Sequence, residues 1–162
     1  MEIVKAQESY IPEIVALATK TWHATYTHLV PAGQIEFMLN LFYNETLMRE
    51  QLNDPQHHFL LLLDEGILVG YAHGIEQKGK VKLSKLYCLP ECQGKGYGKK
   101  LMQALEAKVI ELGYDMIELY VNRGNPAQYF YEKQGFKVVR EEDVPIGDYW
   151  MNDYVMQKNL NP

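Results

Sequence analysis

The chain has 162 residues, of which 47% are hydrophobic and 23% are charged, and its net charge at pH 7 is −5. This length suits one domain with one hydrophobic core, and the composition excludes an intrinsically disordered protein. An acidic chain is a poor general binder of nucleic acid, because phosphate contacts require an excess of Lys and Arg. No apolar stretch reaches the ~18 residues that a membrane-spanning helix needs, so we expect neither nucleic acid nor a membrane as a partner.

The first third of the chain predicts one short strand followed by three helices. Residues 2–6 suit the strand, and apolar residues then recur at helical spacing over residues 11–22. Residues 35–42 predict a second helix. Residues 47–52 predict a third, with Asn44 as its N-cap, because an Asn side chain can accept a hydrogen bond from the first turn.

The remainder of the chain predicts strands and two further helices. Apolar runs separated by turn signals predict a meander of three strands, and a helix, a strand, a short helix and two strands follow. The predicted ranges are strands 59–63, 67–71 and 81–89, helix 98–112, strand 116–121, helix 126–134, and strands 136–140 and 154–157. This order predicts an α+β fold with the strands in the middle and helices on both sides.

The cysteine content indicates the cellular compartment. Cys88 and Cys92 are the only cysteines, which is too few for a zinc site or a disulfide framework. Free thiols suit a reducing cytoplasm, and residues 1–5 lack the pattern of a signal peptide. We therefore expect a cytoplasmic protein without a bound metal.

The most specific local feature is a glycine-rich segment between the third strand of the meander and the next helix. Residues 93–99 read Gln-Gly-Lys-Gly-Tyr-Gly-Lys. Glycines let the backbone approach a ligand closely, and the start of a helix directs unpaired N–H groups toward an anion. Lys95, Lys99 and Lys100 add positive charge to an otherwise acidic chain. The segment therefore predicts a pyrophosphate site.

The glycine spacing separates this segment from two common phosphate-binding motifs. Neither G-x-x-x-x-G-K-[ST] nor G-x-G-x-x-G is met, because the glycines run G-x-G-x-G. The spacing of Gln93, Gly96 and Gly98 instead resembles the acetyl-CoA loop of the GCN5-related N-acetyltransferases, the GNAT superfamily.

A second segment resembles a later motif of the same family. In that motif a short helix carries Ala and, four residues later, Tyr, before Gly-Phe enters a strand. Ala127, Tyr131, Gly135 and Phe136 match this spacing. The resemblance covers nearly the whole chain and implies one GNAT domain over residues 1–162, with a mixed, mostly antiparallel sheet flanked by helices.

The resemblance also implies a reaction and a set of site residues. An amine would attack the thioester of acetyl-CoA directly, and Tyr131 would be the general acid toward the leaving thiolate. The implied cofactor contacts are the end of the strand before the loop, the loop itself and one later Asn. They are Leu86, Tyr87, Cys88, Gln93, Gly94, Lys95, Gly96, Tyr97, Gly98, Lys99 and Asn125.

Two positions depart from the family's pattern. The family's usual Asn lies seven residues before the Tyr, where this chain has Gly124, and Asn125 follows it. Many members carry a Glu on the strand that ends at the loop, whereas residues 82–86 here read Lys-Leu-Ser-Lys-Leu. The general base therefore stays open between a chain of water molecules, His73 and His23.

The family's architecture implies an acceptor pocket between the N-terminal helices and the last hairpin. The acceptor would be a small amine, a polyamine, an amino-sugar or a protein amine, and the acidic balance of the chain mildly favours a cationic one. The candidate pocket residues are Trp22, His23, Tyr26, Glu36, Tyr43, Asp148, Tyr149, Trp150 and Asp153. Core packing explains the aromatic candidates equally well, and residues 147–154 would either close the pocket or form a homodimer face. The alternative function is an acyl-CoA-binding sensor or interaction module without turnover, which only the missing Glu supports.

Overall fold

Seven strands form one sheet in the computed structural model, which describes residues 1–161. The strands are β1 (Glu2–Lys5), β2 (His57–Asp64), β3 (Ile67–Gln77), β4 (Lys80–Cys88), β5 (Met116–Asn122), β6 (Lys137–Ile146) and β7 (Tyr149–Asn159). The α-helices are α1 (Ile11–Tyr26), α2 (Ala32–Phe42), α3 (Glu45–Asn53), α4 (Tyr97–Glu111) and α5 (Ala127–Lys133). Short 3-10 turns cover Glu8–Tyr10 and Pro90–Cys92.

The sheet is mixed and mostly antiparallel. Its strand order is β1-β2-β3-β4-β5-β7-β6, and β4 with β5 is the one parallel pair in the described sheet. Helices cover both faces, which confirms the predicted fold class. No helix among residues 1–161 combines the length and the apolar character that crossing a membrane requires.

The two faces of the sheet carry separate hydrophobic cores. Because successive side chains of a strand point to opposite faces, Leu61 packs with α1–α3 while Leu62 packs with α4. The continuous apolar run of β2 is thus explained, since this strand is buried on both faces. Burying each such side chain stabilises the fold by about 1.5–3 kcal/mol.

The predicted N-cap of α3 is confirmed. The Asn44 side chain accepts a hydrogen bond of 2.8 Å from the Leu47 N–H, as an N-cap does.

The last hairpin is longer than predicted, because β6 and β7 extend well beyond residues 136–140 and 154–157. Polar, exposed residues fill the centre of β6, so hydrophobic alternation does not reveal it, and pairing with β7 maintains the strand.

His73 lies fully buried on β3, on the face covered by α1–α3. Its Nε2 is 2.8 Å from Nδ1 of His57, and its ring stacks on Phe59 with the ring centroids 3.9 Å apart. Within the described residues its Nδ1 has no hydrogen-bond partner. Burial, aided by the positive charge of Lys85, lowers the pKa of His73 well below the ordinary value of 6.5.

We expect the free energy of unfolding to fall as the pH drops below ~6.5, because the unfolded chain binds a proton at His73 that the folded protein does not bind. Urea unfolding at about pH 7.5 and about pH 5.5 measures this difference. His73→Phe should reduce it, whereas His28→Gln, at an exposed histidine, should not. The same pH dependence in wild type and His73→Phe would refute the assignment.

Candidate active site

The central feature of the site is a gap between two neighbouring strands. The parallel strands β4 and β5 pair only where residues 81–83 face residues 117–119. Beyond Leu83, β4 continues as far as Cys88 paired with β3 alone. Its other edge therefore presents backbone N–H and C=O groups to a cavity of about 670 Å³, a size typical of ligand sites.

The cavity brings the predicted site residues together. Tyr131 and all the predicted cofactor contacts except Lys95 line it. Lys95 is exposed beside the loop. The side chain of Tyr97 is directed away from the loop, because its hydroxyl donates a 2.6 Å hydrogen bond to Asp64. Tyr97 can therefore serve an anion mainly through its backbone N–H.

Each of the three glycines of the loop is required for a different structural reason. Gly94 has φ 84° and Gly96 has φ 81°, a left-handed conformation that side chains disfavour. Gly96 is the N-cap of α4, so the first N–H groups of that helix lack an intrahelical partner. At Gly98 a Cβ would lie 3.3 Å from the Phe130 ring, so this position allows α4 and α5 to pack closely.

Tyr131 lies on α5 with its ring packed edge-on against Phe130 and Phe136. Burial, together with the neighbouring Tyr26, raises the pKa of the Tyr131 phenol well above its ordinary value. The phenol therefore stays protonated at neutral pH and can donate a hydrogen bond. Tyr129, two residues earlier, is 65% exposed and does not reach the cavity.

Tyr26, at the end of α1, faces Tyr131 across the cavity. Its hydroxyl accepts a 3.4 Å hydrogen bond from Nδ2 of Asn125, whose Oδ1 accepts another of 2.9 Å from the Ala127 N–H. Asn125 thus links α1 to the start of α5, as well as lining the cavity. Burial raises the pKa of Tyr26 to about 12, and the negative charge of Asp153 adds to this shift.

Asp153 is a buried carboxylate on β7 beside this tyrosine. It pairs in register with Asn122, so its side chain lies on the same sheet face as that of Tyr120. Burial raises the pKa of Asp153 to about 6, while the charges of Arg123 and Lys82 partly oppose the shift. At neutral pH this carboxylate is ionised, and it can accept a proton near pH 6.

Of the predicted acceptor residues, Tyr26 alone lines the cavity, and Asp153 lies behind it in the sheet. Trp22 is buried in the core, and Tyr43 shares a 2.6 Å hydrogen bond with Tyr71 there. His23 lies on the surface 3.3 Å from Glu36. His73 is fully buried against Phe59.

The β6–β7 hairpin packs against α2. The rings of Tyr149 and Phe37 lie 5.7 Å apart, and the Trp150 carbonyl accepts a 2.9 Å hydrogen bond from Gln34. The Trp150 side chain is 57% exposed, and Asp148 is also exposed. The hairpin is thus held against α2, and none of its residues lines the cavity.

Several residues that line the cavity were not predicted from the sequence, and two of them, Lys85 and Tyr120, carry polar groups on β4 and β5. Their positions follow from strand alternation, because the residues next to them on β4 and β5 belong to the core beneath α4. Burial and the nearby charge of Lys82 lower the pKa of Lys85 to about 8.

Comparison with known proteins gives the same family for most of the chain. Residues 26–157 match the family model "Acetyltransferase (GNAT) domain". An uncharacterised N-acetyltransferase of Mycobacterium bovis is 33% identical over 150 residues, which cover 91% of this chain and 96% of that protein. Spermidine N(1)-acetyltransferase of Thermoplasma acidophilum is 29% identical over 156 residues, or 93% of this chain and 95% of that protein.

A solved structure extends the likeness to three dimensions. The PaiA N-acetyltransferase of Thermoplasma acidophilum, determined in complex with coenzyme A, superposes with a TM-score of 0.86 and 27% identity. The superposition covers 98% of each chain. The family match, the relatives and the shared fold agree, and the chain is therefore an N-acetyltransferase that belongs to the GNAT superfamily.

Proposed function

We propose that this protein transfers the acetyl group of acetyl-CoA to a primary amine in the gap between β4 and β5. The observation that carries the proposal is this gap, which is lined both by a glycine-rich helix start and by Tyr131. The pyrophosphate would bind residues 94–99 through backbone N–H groups. The pantetheine arm would bind the free edge of residues 86–88, as an added strand does.

The reaction needs a hydrogen-bond donor that stabilises the leaving thiolate. The amine nitrogen attacks the thioester carbon, the C–S bond breaks, and negative charge develops on sulfur. Tyr131 donates a hydrogen bond to this developing thiolate. Because its pKa is raised, transfer of the whole proton is uphill, so the hydrogen bond is the larger part of its contribution as general acid.

The reaction also needs an acceptor for the proton of the attacking amine. We assign this role to Asp153, acting through Tyr26 or a water molecule. Asp153 does not line the cavity itself, but its charge raises the pKa of Tyr26, which lines the cavity together with Tyr131. A carboxylate whose pKa is raised toward the working pH is a better base than one in water.

Two measurements test the proposed function. The melting temperature should rise with CoA or acetyl-CoA and not with ATP or NAD, because a ligand that binds only the folded state stabilises it. Thiol release from acetyl-CoA over a panel of amines then tests turnover. The alternative of a sensor without turnover predicts the thermal shift without amine-dependent thiol release, which would overturn the enzymatic proposal.

Two glycines at opposite ends of α4 allow a matched test of the loop. Gly96 and Gly113 both have left-handed φ, and a Cβ at either would contact nothing within 4 Å. Alanine at either position should therefore destabilise the protein alike, by about 1–2 kcal/mol.

Gly96→Ala alone should weaken acetyl-CoA binding, because it distorts the N–H groups of the proposed pyrophosphate site. Calorimetric titration with acetyl-CoA measures the affinity, and urea unfolding measures the shared loss of stability. Equal acetyl-CoA affinity in the two variants would argue against this site.

A further inference from the structure

Two lysines of β4 share one face of the sheet, Lys85 in the cavity wall and Lys82 in the adjoining part of the strand that pairs with β5. Val81 and Leu83 belong to the core beneath α4, so Lys82 between them points to the opposite face. Its Nζ lies 4.7 Å from the centre of the Tyr120 ring. Lys85 lies on the same face, after the irregularity in pairing at Ser84, and lines the cavity.

Both ammonium groups lie close to aromatic rings. Nζ of Lys85 lies 5.6 Å from the ring centre of Phe42 and 5.3 Å from that of Tyr43. Cation–π contacts of this kind hold a lysine in place without neutralising its charge. Among residues 1–161, neither ammonium forms a salt bridge within 4.0 Å of a carboxylate.

The neighbouring acidic groups do not cancel this charge. Glu118, on the same face of β5, already pairs with Lys80 and Gln157. Asp153 is under the opposing charges of Arg123 and Lys82 on one side and of Glu142 and Asp143 on the other, and Arg123 itself pairs with Asp143. Lys82 and Lys85 therefore remain as two cations without a carboxylate partner of their own, and Lys82 destabilises the charged form of Lys85.

We propose, on the basis of the proposed function, that the acceptor is a small primary amine carrying an anionic group, a carboxylate or a phosphate, a few atoms from the nitrogen. The anion lies between Lys82 and Lys85, and the amine faces Tyr131 and Tyr26. An anion placed there relieves the repulsion between the two lysines and gains charge-assisted hydrogen bonds. A polyamine would instead add positive charge beside them.

An acceptor with an anionic group is the opposite of the cationic acceptor that the overall charge of the chain suggested. The net charge of −5 describes the whole molecule, whereas an acceptor responds to the groups within a Debye length of it. The Thermoplasma relative is named for spermidine, so an anionic acceptor would distinguish this chain from it.

Pairs of amines that differ only in the anionic group test the inference. Lysine and cadaverine differ by a carboxylate, and glucosamine 6-phosphate and glucosamine differ by a phosphate. With acetyl-CoA as donor, kcat/KM of wild type should be at least ~10-fold higher for the anionic member of one pair, since charge-assisted hydrogen bonds are about twice as strong as neutral ones. The pair that shows this preference identifies the anion as a carboxylate or a phosphate.

Variants connect the preference to the two lysines. Lys82→Met with Lys85→Met should abolish the preference through a higher KM for the anionic member of the pair. Lys78→Met removes an exposed lysine from the turn before β4 and should keep the preference.

Three outcomes would overturn the inference. The first is equal or better turnover of cadaverine and glucosamine by wild type. The second is a preference for anionic amines that survives the double substitution. The third is that none of the four amines causes release of CoA, which would refute the proposed function as well.

Discussion

Replacing Tyr131 by Phe is expected to lower kcat by at least ~10-fold, and toward ~100-fold if the phenol supplies the full effect of a general acid. The substitution removes one hydroxyl and keeps the ring that packs against Phe130 and Phe136. The hydrogen bond to sulfur strengthens only as the C–S bond breaks, so kcat should fall while KM for acetyl-CoA changes little. Steady-state thiol release at saturating acetyl-CoA measures both constants.

A neighbouring tyrosine provides the matched control for this result. Tyr129→Phe removes the same hydroxyl two residues earlier, from a side chain that is 65% exposed. It should leave kcat unchanged. An unaltered melting temperature in Tyr131→Phe would show that the loss is not unfolding. An unchanged kcat in Tyr131→Phe would exclude this residue as the donor.

Replacing Asp153 by Asn is the second change with a large expected effect. In wild type, kcat/KM should rise with pH as the carboxylate loses its proton near pH 6. Asp153→Asn should lower kcat/KM by ~100-fold or more above that pH, because loss of a general base removes an effect of this size. The inflection near pH 6 should disappear with it.

Stability measurements separate this loss from unfolding. Because the folded state raises the pKa of Asp153, it favours the protonated form, and this contribution is lost as the pH rises through about 6. Asp153→Asn, which carries no charge, should therefore unfold no more easily than wild type at neutral pH. Asp115→Asn, at an exposed site before β5, serves as the control and should keep both activity and the pH profile. If the inflection near pH 6 persisted in Asp153→Asn, a group other than Asp153 would be the general base.

Local patterns predicted the parts of the site that depend on the backbone. Glycines with left-handed φ, a helix start and a strand end lie close together in the sequence, so residues 86–99 could be located without a structure. The resemblance of Ala127 and Tyr131 to the family's later motif separately identified a tyrosine that lines the cavity. The glycine loop follows from short-range geometry, which a linear sequence retains, whereas Tyr131 was identified by the resemblance alone.

Residues that depend on tertiary packing could not be assigned in this way. Trp22, Tyr43 and His73 have the composition of a pocket but lie in the core, because α1–α3 cover that part of the sheet. Asp153 and Lys85 are distant in sequence and share one face only because β5 joins β4 to β7. No periodicity within a single segment can reveal such a cluster.

Direct transfer of acetyl from acetyl-CoA to an amine, in the gap between β4 and β5, fixes the ratio of the two products. This ratio of acetylated amine to free CoA formed by wild type is measured by mass spectrometry, with both products quantified in one reaction. We expect equal amounts of the two products, formed only when the amine is present. Release of CoA that does not depend on the amine, or the absence of any acetylated product, would contradict it.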